Sequence, residues 1–142
     1  MIIRSPLTTD EFAKYYLLRW QVLRAPWGQN KGSEKDGLEN ESIHRLAILN
    51  NEIIAAGRLH FTDNHAAQIR YMAVHEEYKN QGIGKAILLS LEQAAKENNV
   101  HTILLNSRDT AVTFYQKQGY ATIEKSHTLY GKIKHTKMFK DL

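Results

Sequence analysis

Residues 69–88, IRYMAVHEEYKNQGIGKAIL, join an apolar strand to an amphipathic helix through a short polar turn that carries two glycines. The strand reads as Ile69 to Val74, and the polar run His75-Glu76-Glu77 ends it. The helix begins near Gly82 and puts Ile83, Ile87, Leu88 and Leu91 on one face. Between them, Lys79-Asn80-Gln81-Gly82-Ile83-Gly84 places glycine where the helix starts. Glycine has no Cβ, so the backbone can come close to a ligand. The unbonded N–H groups of a first helical turn, at the positive end of the dipole, suit an anion. The segment is built to hold a phosphate-like group.

Spacing tests two well-known phosphate loops. A Walker A loop needs glycine where this chain has Lys79, and Ser or Thr where it has Ala86. A dinucleotide fingerprint needs Gly or Ala where it has Ile87. Both fail.

The rest of the chain reads as one unit, residues 1–142, near the commonest domain size. It is 42% hydrophobic and 24% charged, as a water-soluble globular chain requires. No apolar run approaches the ~18 residues that span a bilayer. Met1-Ile2-Ile3-Arg4 leads directly into a strand rather than a signal peptide. The absence of cysteine excludes disulfides, a cysteine-based zinc site and a cysteine acyl-enzyme. The expected compartment is the cytoplasm, with no membrane partner. The net charge of +4 comes largely from Lys125, Lys132, Lys134, Lys137 and Lys140. These are scattered and read as a solvated face, not as a nucleic-acid footprint. A basic surface also suits a ligand with several phosphates.

Strands are expected over 2–5, 43–49, 52–61, 66–75, 100–105, 120–125 and 135–140. Asn50-Asn51 and Asp63-Asn64-His65 supply hairpin turns. Thr8 opens a capping box before a helix with Phe12, Tyr16, Trp20 and Leu23 on its apolar face; Pro26 closes it. Residues 27–41 read as a loop with room for a short helix near its end. The helix from Gly82 ends near Asn98-Asn99, and a further helix capped by Asp109 or Ser107 ends at Gly119. The fold class is α/β with a mixed sheet: an antiparallel meander plus strand–helix–strand units that imply parallel neighbours.

Residues 79–84 resemble the pyrophosphate-binding loop of the GNAT family of N-acetyltransferases, Gln/Arg-x-x-Gly-x-Gly/Ala. Lys79 departs from that pattern, keeping the charge but not the guanidinium fork. TAVTFYQKQGY at 110–120 resembles the family's second signature, Asn106 precedes it as the family's cofactor-contacting Asn does, and HTKMFKDL resembles its last strand. The resemblance covers nearly the whole chain. It implies a central mixed sheet flanked by helices, with the fourth and fifth strands splayed around a pantetheine arm. It implies an N-acetyltransferase that moves acetyl from acetyl-CoA to a primary amine in a ternary complex, without metal. The alternative is a non-catalytic acyl-CoA sensor. Homodimers are common in the family, but no apolar stripe here assigns an interface.

By that resemblance the cofactor contacts are Met72, Ala73, Val74, Lys79, Asn80, Gln81, Gly82, Ile83, Gly84, Lys85, Asn106 and Phe114. One amide of Met72–Val74 would face the developing oxyanion. Tyr115 is the candidate general acid, because a phenol of pKa about 10 can protonate a thiolate. His75 is the candidate base and His60 a further one, since histidine titrates near neutrality. The loop 32–41 lies where the family shapes its acceptor pocket. It holds four acids and one lysine, which suggests a cationic acceptor held by Glu34 and Asp36 beside Trp27.

Overall fold

The computed structural model describes residues 1–142. Its elements run β1 (Ile2–Arg4), α1 (Thr9–Leu23), β2 (Ile43–Leu49), β3 (Glu52–Phe61), β4 (Ala66–Val74), α2 (Ile83–Glu97), β5 (Thr102–Arg108), α3 (Val112–Lys117), β6 (Ala121–Leu129) and β7 (Ile133–Asp141). One seven-stranded sheet has the order β1-β2-β3-β4-β5-β7-β6. Only β4 and β5 are parallel, joined through α2. The other strand–helix–strand units do not give parallel neighbours. β1 pairs antiparallel with β2 across α1, and β7 inserts between β5 and β6. No helix is long and apolar enough to cross a membrane.

Each helix forms for a local reason. Thr8 accepts from the Glu11 amide at 3.1 Å and caps α1. Glu11 does not complete the capping box; it accepts from the Leu7 amide at 2.7 Å and pairs with Arg4. Pro26 follows in a 3₁₀ turn, Ala25–Trp27, that Gly28 ends at φ +68°. α2 has an uncapped glycine start and ends through Asn98 and Asn99, with Asn99 at φ +60°. In the β2–β3 hairpin Asn50 and Asn51 both take positive φ, as a tight two-residue turn demands.

The helices lie on opposite faces of the sheet. The larger core gathers Ile83, Ile87, Leu88, Leu91 and Ala95 of α2 with Tyr115 of α3. The smaller one gathers Tyr15 and Leu18 of α1 with Leu46 and Ala56. α1 therefore buries Tyr15, Leu18, Arg19 and Leu23, one step round from the expected face. Phe12 and Tyr16 sit half-buried at its edge, edge-on to His44. Residues 28–42 are turns plus a 3₁₀ turn at Glu39–Glu41. β5, β6 and β7 continue past their expected ends. Asp109 caps nothing: its carboxylate accepts from Thr136 Oγ1 and Lys125 Nζ.

Candidate active site

The sheet opens where its two parallel strands part. β4 and β5 pair from Ala66↔Thr102 to Ile69↔Leu105 and no further. Tyr71 stands just beyond, at φ +56°, where the β3–β4 register shifts. That conformation costs a non-glycine residue roughly 1–2 kcal/mol. The Tyr71 ring is held by arginines, with the Arg19 guanidinium 3.9 Å and that of Arg70 4.5 Å from its centroid.

After this bulge the strand is extended again. The His75 amide donates to Ile54 O at 2.8 Å, and Ala56 and Ala73 are register partners. N–H groups alternate in direction along a strand, so the Val74 N–H faces away from β3, into the gap. The Ala73 N–H faces β3. Of the three amides named from sequence, Val74 is thus placed to bond a ligand, and Met72 shares its parity. Side chains alternate too. Tyr71 and Ala73 pack with Leu23 on the α1 face, while Met72 and Val74 pack against the α2 core.

A cleft of about 990 Å³ runs through this gap. Its walls include Met72, Ala73, Val74, Lys79, Asn80, Gly82, Ile83, Gly84, Lys85, Asn106, Phe114 and Tyr115. Ala86 N donates to Gly82 O and is the first intrahelical bond of α2, so the amides before it point outward at the cleft. Gly82 sits at φ +80°, a conformation glycine adopts without strain. A Cβ on Gly84 would lie 3.5 Å from Val74 and 3.7 Å from Phe114. Asn106 accepts from Ser126 Oγ through Oδ1 at 2.8 Å, which leaves its amide N–H groups for a ligand.

Tyr115 is 7% exposed, and its hydroxyl has no protein partner, unlike that of Tyr120, which donates to Glu92 at 2.9 Å. Burial pushes the Tyr115 phenol above its ordinary range, so it stays protonated.

Other sequence-derived residues fall elsewhere. Gln81 is exposed and lies outside the cleft lining. Lys79 pairs with Glu76 at 2.8 Å. His75 also lies outside the lining; its Nδ1 accepts from the Glu77 amide at 3.2 Å, capping a 3₁₀ turn. His60 is buried on the α1 face, where its Nδ1 accepts from Arg58 Nη2 at 3.0 Å. Burial, then the charge of Arg58, lowers its pKa.

The acidic loop is committed to internal pairs. Arg58, fully buried, donates to Asp36 at 2.6 and 3.0 Å and to Glu39 at 2.8 Å. Arg70 donates to Asp36 at 2.9 Å, and Arg19 forks onto Glu39 at 2.9 and 3.0 Å. Glu34 turns inward onto the Gly32 amide, and its carbonyl accepts from Arg19 Nη2. Neither Glu34 nor Asp36 lines the cleft, and neither does Trp27, which is 37% exposed. The structure does not bring these carboxylates to the cleft: Arg19, Arg58 and Arg70 pair with Asp36 and Glu39, and Glu34 caps the Gly32 amide.

The cleft contains five cations and no Asp or Glu: Arg24, Arg70, Lys79, Lys85 and Arg108. Sequence reading missed Arg24, Arg108, Tyr71, His127 and His135. A strand-end Arg108 and a helix-end Arg24 show no periodic signal.

The surroundings suit coenzyme A: partnerless first-turn amides, two lysines for phosphates, and a free strand edge for the amides of an extended arm. Residues 30–142 match the acetyltransferase (GNAT) domain family. The chain is 32% identical over 108 residues to the uncharacterized N-acetyltransferase YjcF of Bacillus subtilis, covering 76% of each. An aminoglycoside 6'-N-acetyltransferase complexed with coenzyme A superposes with TM-score 0.83 at 16% identity, over 99% of this chain and 97% of the other. An acyl-CoA N-acyltransferase from Pseudomonas aeruginosa gives 0.81 at 20%, over 98% and 97%. With its mixed sheet parted between β4 and β5 and a glycine-led helix at the gap, the chain belongs to the GNAT acetyltransferase family, enzymes that use acetyl-CoA as cosubstrate.

Proposed function

We propose that residues 1–142 act as one N-acetyltransferase domain that acetylates a primary amine by direct transfer within a ternary complex. The observation that carries this is the through-sheet cleft. The α2 amino terminus opens on one face and a second mouth lies beside the α1 carboxyl end, so two substrates can meet at Val74. The reading assigns the work to the cytoplasm.

Acetyl-CoA supplies an activated acyl carbon. The chain's own groups do the rest. The Gly82–Lys85 amides, Lys79 and Lys85 hold the pyrophosphate, and the Val74 N–H, with Asn106, fixes the arm. A backbone amide facing the gap lowers the cost of negative charge on the carbonyl oxygen. As the amine nitrogen bonds to the acyl carbon, the carbon–sulfur bond breaks. Tyr115 gives its phenolic proton to the departing sulfur and regains one from solvent. The amine loses its proton to water in the open cleft; neither His75 nor His60 lines it, and the two histidines that do, His127 and His135, stack on each other at 4.3 Å.

Two measurements test this together. Calorimetric titration with acetyl-CoA and desulfo-CoA should show micromolar binding, with ATP far weaker. Thiol release from acetyl-CoA should then depend on an added amine. Binding without release to any amine would favour the sensor reading; no binding would end both.

A further inference from the structure

Two guanidiniums meet at the α1-side mouth with no acid to balance them. Arg24 Nη1 and Arg108 Nη2 each lie 3.3 Å from the same acceptor, Leu23 O. Arg24 Nε donates to Ser33 O at 3.0 Å. Every protein partner of the pair is a neutral carbonyl, and neither arginine forms an ion pair with Asp or Glu. Arg24 Nη2 and Arg108 Nη1 and Nε carry no hydrogen bond, and both side chains line the cleft.

Their setting differs from that of the other arginines. Arg19 and Arg58, both fully buried, are both answered by Glu39. Arg24 is only 7% exposed, with the Tyr71 and Tyr130 rings 5.7 and 5.9 Å away. Burial, then the charge of Arg24, lowers the Arg108 pKa, as like charges crowded without a counter-ion require. Two unanswered cations, Arg24 buried and Arg108 half-buried, present a fork that matches a planar anion. The amino terminus of α2, which serves the cofactor phosphates, lies on the other face of the sheet, so this pair is not needed there.

We propose that Arg24 and Arg108 form an anion-recognition site at the acceptor mouth, and that the amine acetylated by this protein carries a carboxylate. This rests on the acetyltransferase reading and narrows it to amino-acid-like acceptors. It reverses the cationic acceptor suggested by the loop 32–41.

The experiment uses the full chain saturated with desulfo-CoA, titrated with N-acetylglycine and N-acetylphenylalanine as product-like carboxylates. N-methylacetamide serves as the uncharged control and N-acetylaminomethylphosphonate as the phosphonate control. The readout is the guanidinium Nε–H resonances of Arg24 and Arg108. The account expects saturable shifts at both with at least one carboxylate and none with N-methylacetamide. It expects Arg108→Gln to weaken that binding at least about tenfold, the scale of a lost charge-assisted fork. Desulfo-CoA affinity should stay within about twofold and the melting temperature should not fall, because removing one of two crowded cations relieves repulsion. In thiol release, each amino acid should exceed its decarboxylated counterpart, phenylalanine over phenethylamine and lysine over cadaverine. No saturable shift, preference for the phosphonate, preference for the decarboxylated amines, or a large loss of stability in Arg108→Gln would overturn the proposal. Failure to bind desulfo-CoA would instead overturn the cofactor reading beneath it.

Discussion

Ile69 and Leu105 form the last register pair between β4 and β5. Beyond them the parallel strands separate, and Val74 and Asn106 both line a gap where a ladder would continue. A parallel pair is hydrogen-bonded along its length unless something else takes its groups. In the proposed function the something else is the extended arm of coenzyme A, laid against β4.

Gly84→Ala separates stability from binding. Gly84 is helical, and alanine there should stabilise α2 by about 0.5–1 kcal/mol. The added methyl makes ordinary contacts with Val74 and Phe114, so the fold tolerates it. It also occupies the cleft wall beside the first-turn amides. Thermal melts should show a small gain, and calorimetry should show acetyl-CoA affinity reduced about tenfold, near 1.4 kcal/mol. Unchanged affinity would place the cofactor elsewhere.

Tyr115→Phe should be silent in stability, because the hydroxyl makes no hydrogen bond within the protein. Its effect should fall on turnover, about a hundredfold, the lower range for a positioned acid. Acetyl-CoA affinity should hold. Steady-state kinetics beside a melt and a titration distinguish this from a packing role, which would lower the melting temperature instead.

Asp36 anchors the loop 34–41. Burial alone would raise its pKa. Hydrogen bonds from Arg58 and the Leu38 amide, with the charges of Arg58 and Arg70, hold it at about 2. A folded pKa below the unfolded value of about 3.9 means stability present in full above pH ~4 and lost as pH falls towards ~2. Asp36→Asn should flatten that limb of the acid-denaturation curve. At pH 7 it should cost about 3 kcal/mol, because buried Arg58 loses one of its two carboxylates. An unchanged acid limb would remove Asp36 from the anchor.

Gly57→Ala tests the packing that sets β4. A Cβ there would meet Ile87 at 2.6 Å, Met72 at 2.7 Å and Leu91 at 3.1 Å. Two of these are core side chains of α2 and the third stands on β4. Overpacking of this kind costs about 1–3 kcal/mol, and the displaced Met72 should also weaken acetyl-CoA binding. Denaturant melts and titration of one variant measure both.

Much of the frame was legible in sequence. The strands 43–49 and 52–61 and the apolar face of α2 follow from alternation and helical periodicity, and both hold in the structure. The single parallel pair and the order β5-β7-β6 did not follow, because long-range pairing leaves no local pattern. The bulge at Tyr71 was hidden for a similar reason: a tyrosine at positive φ is stabilised by arginines from α1, from its C-cap and from β3. Reading loop acids as free charge failed because their partners lie far along the chain. One clue was present. Arg58 sits within AAGRLHF, a strand of small and apolar residues, where a charge must be paired if it is to be buried.

The most direct test of the central claim is a backbone amide NMR titration of the full chain with acetyl-CoA. The account predicts saturable shifts concentrated at Val74, Gly82 to Lys85, Asn106 and Phe114, with the Val74 amide moving as it gains a hydrogen-bond acceptor. Shifts confined to another surface, or none at Val74 and the α2 amino terminus, would contradict it.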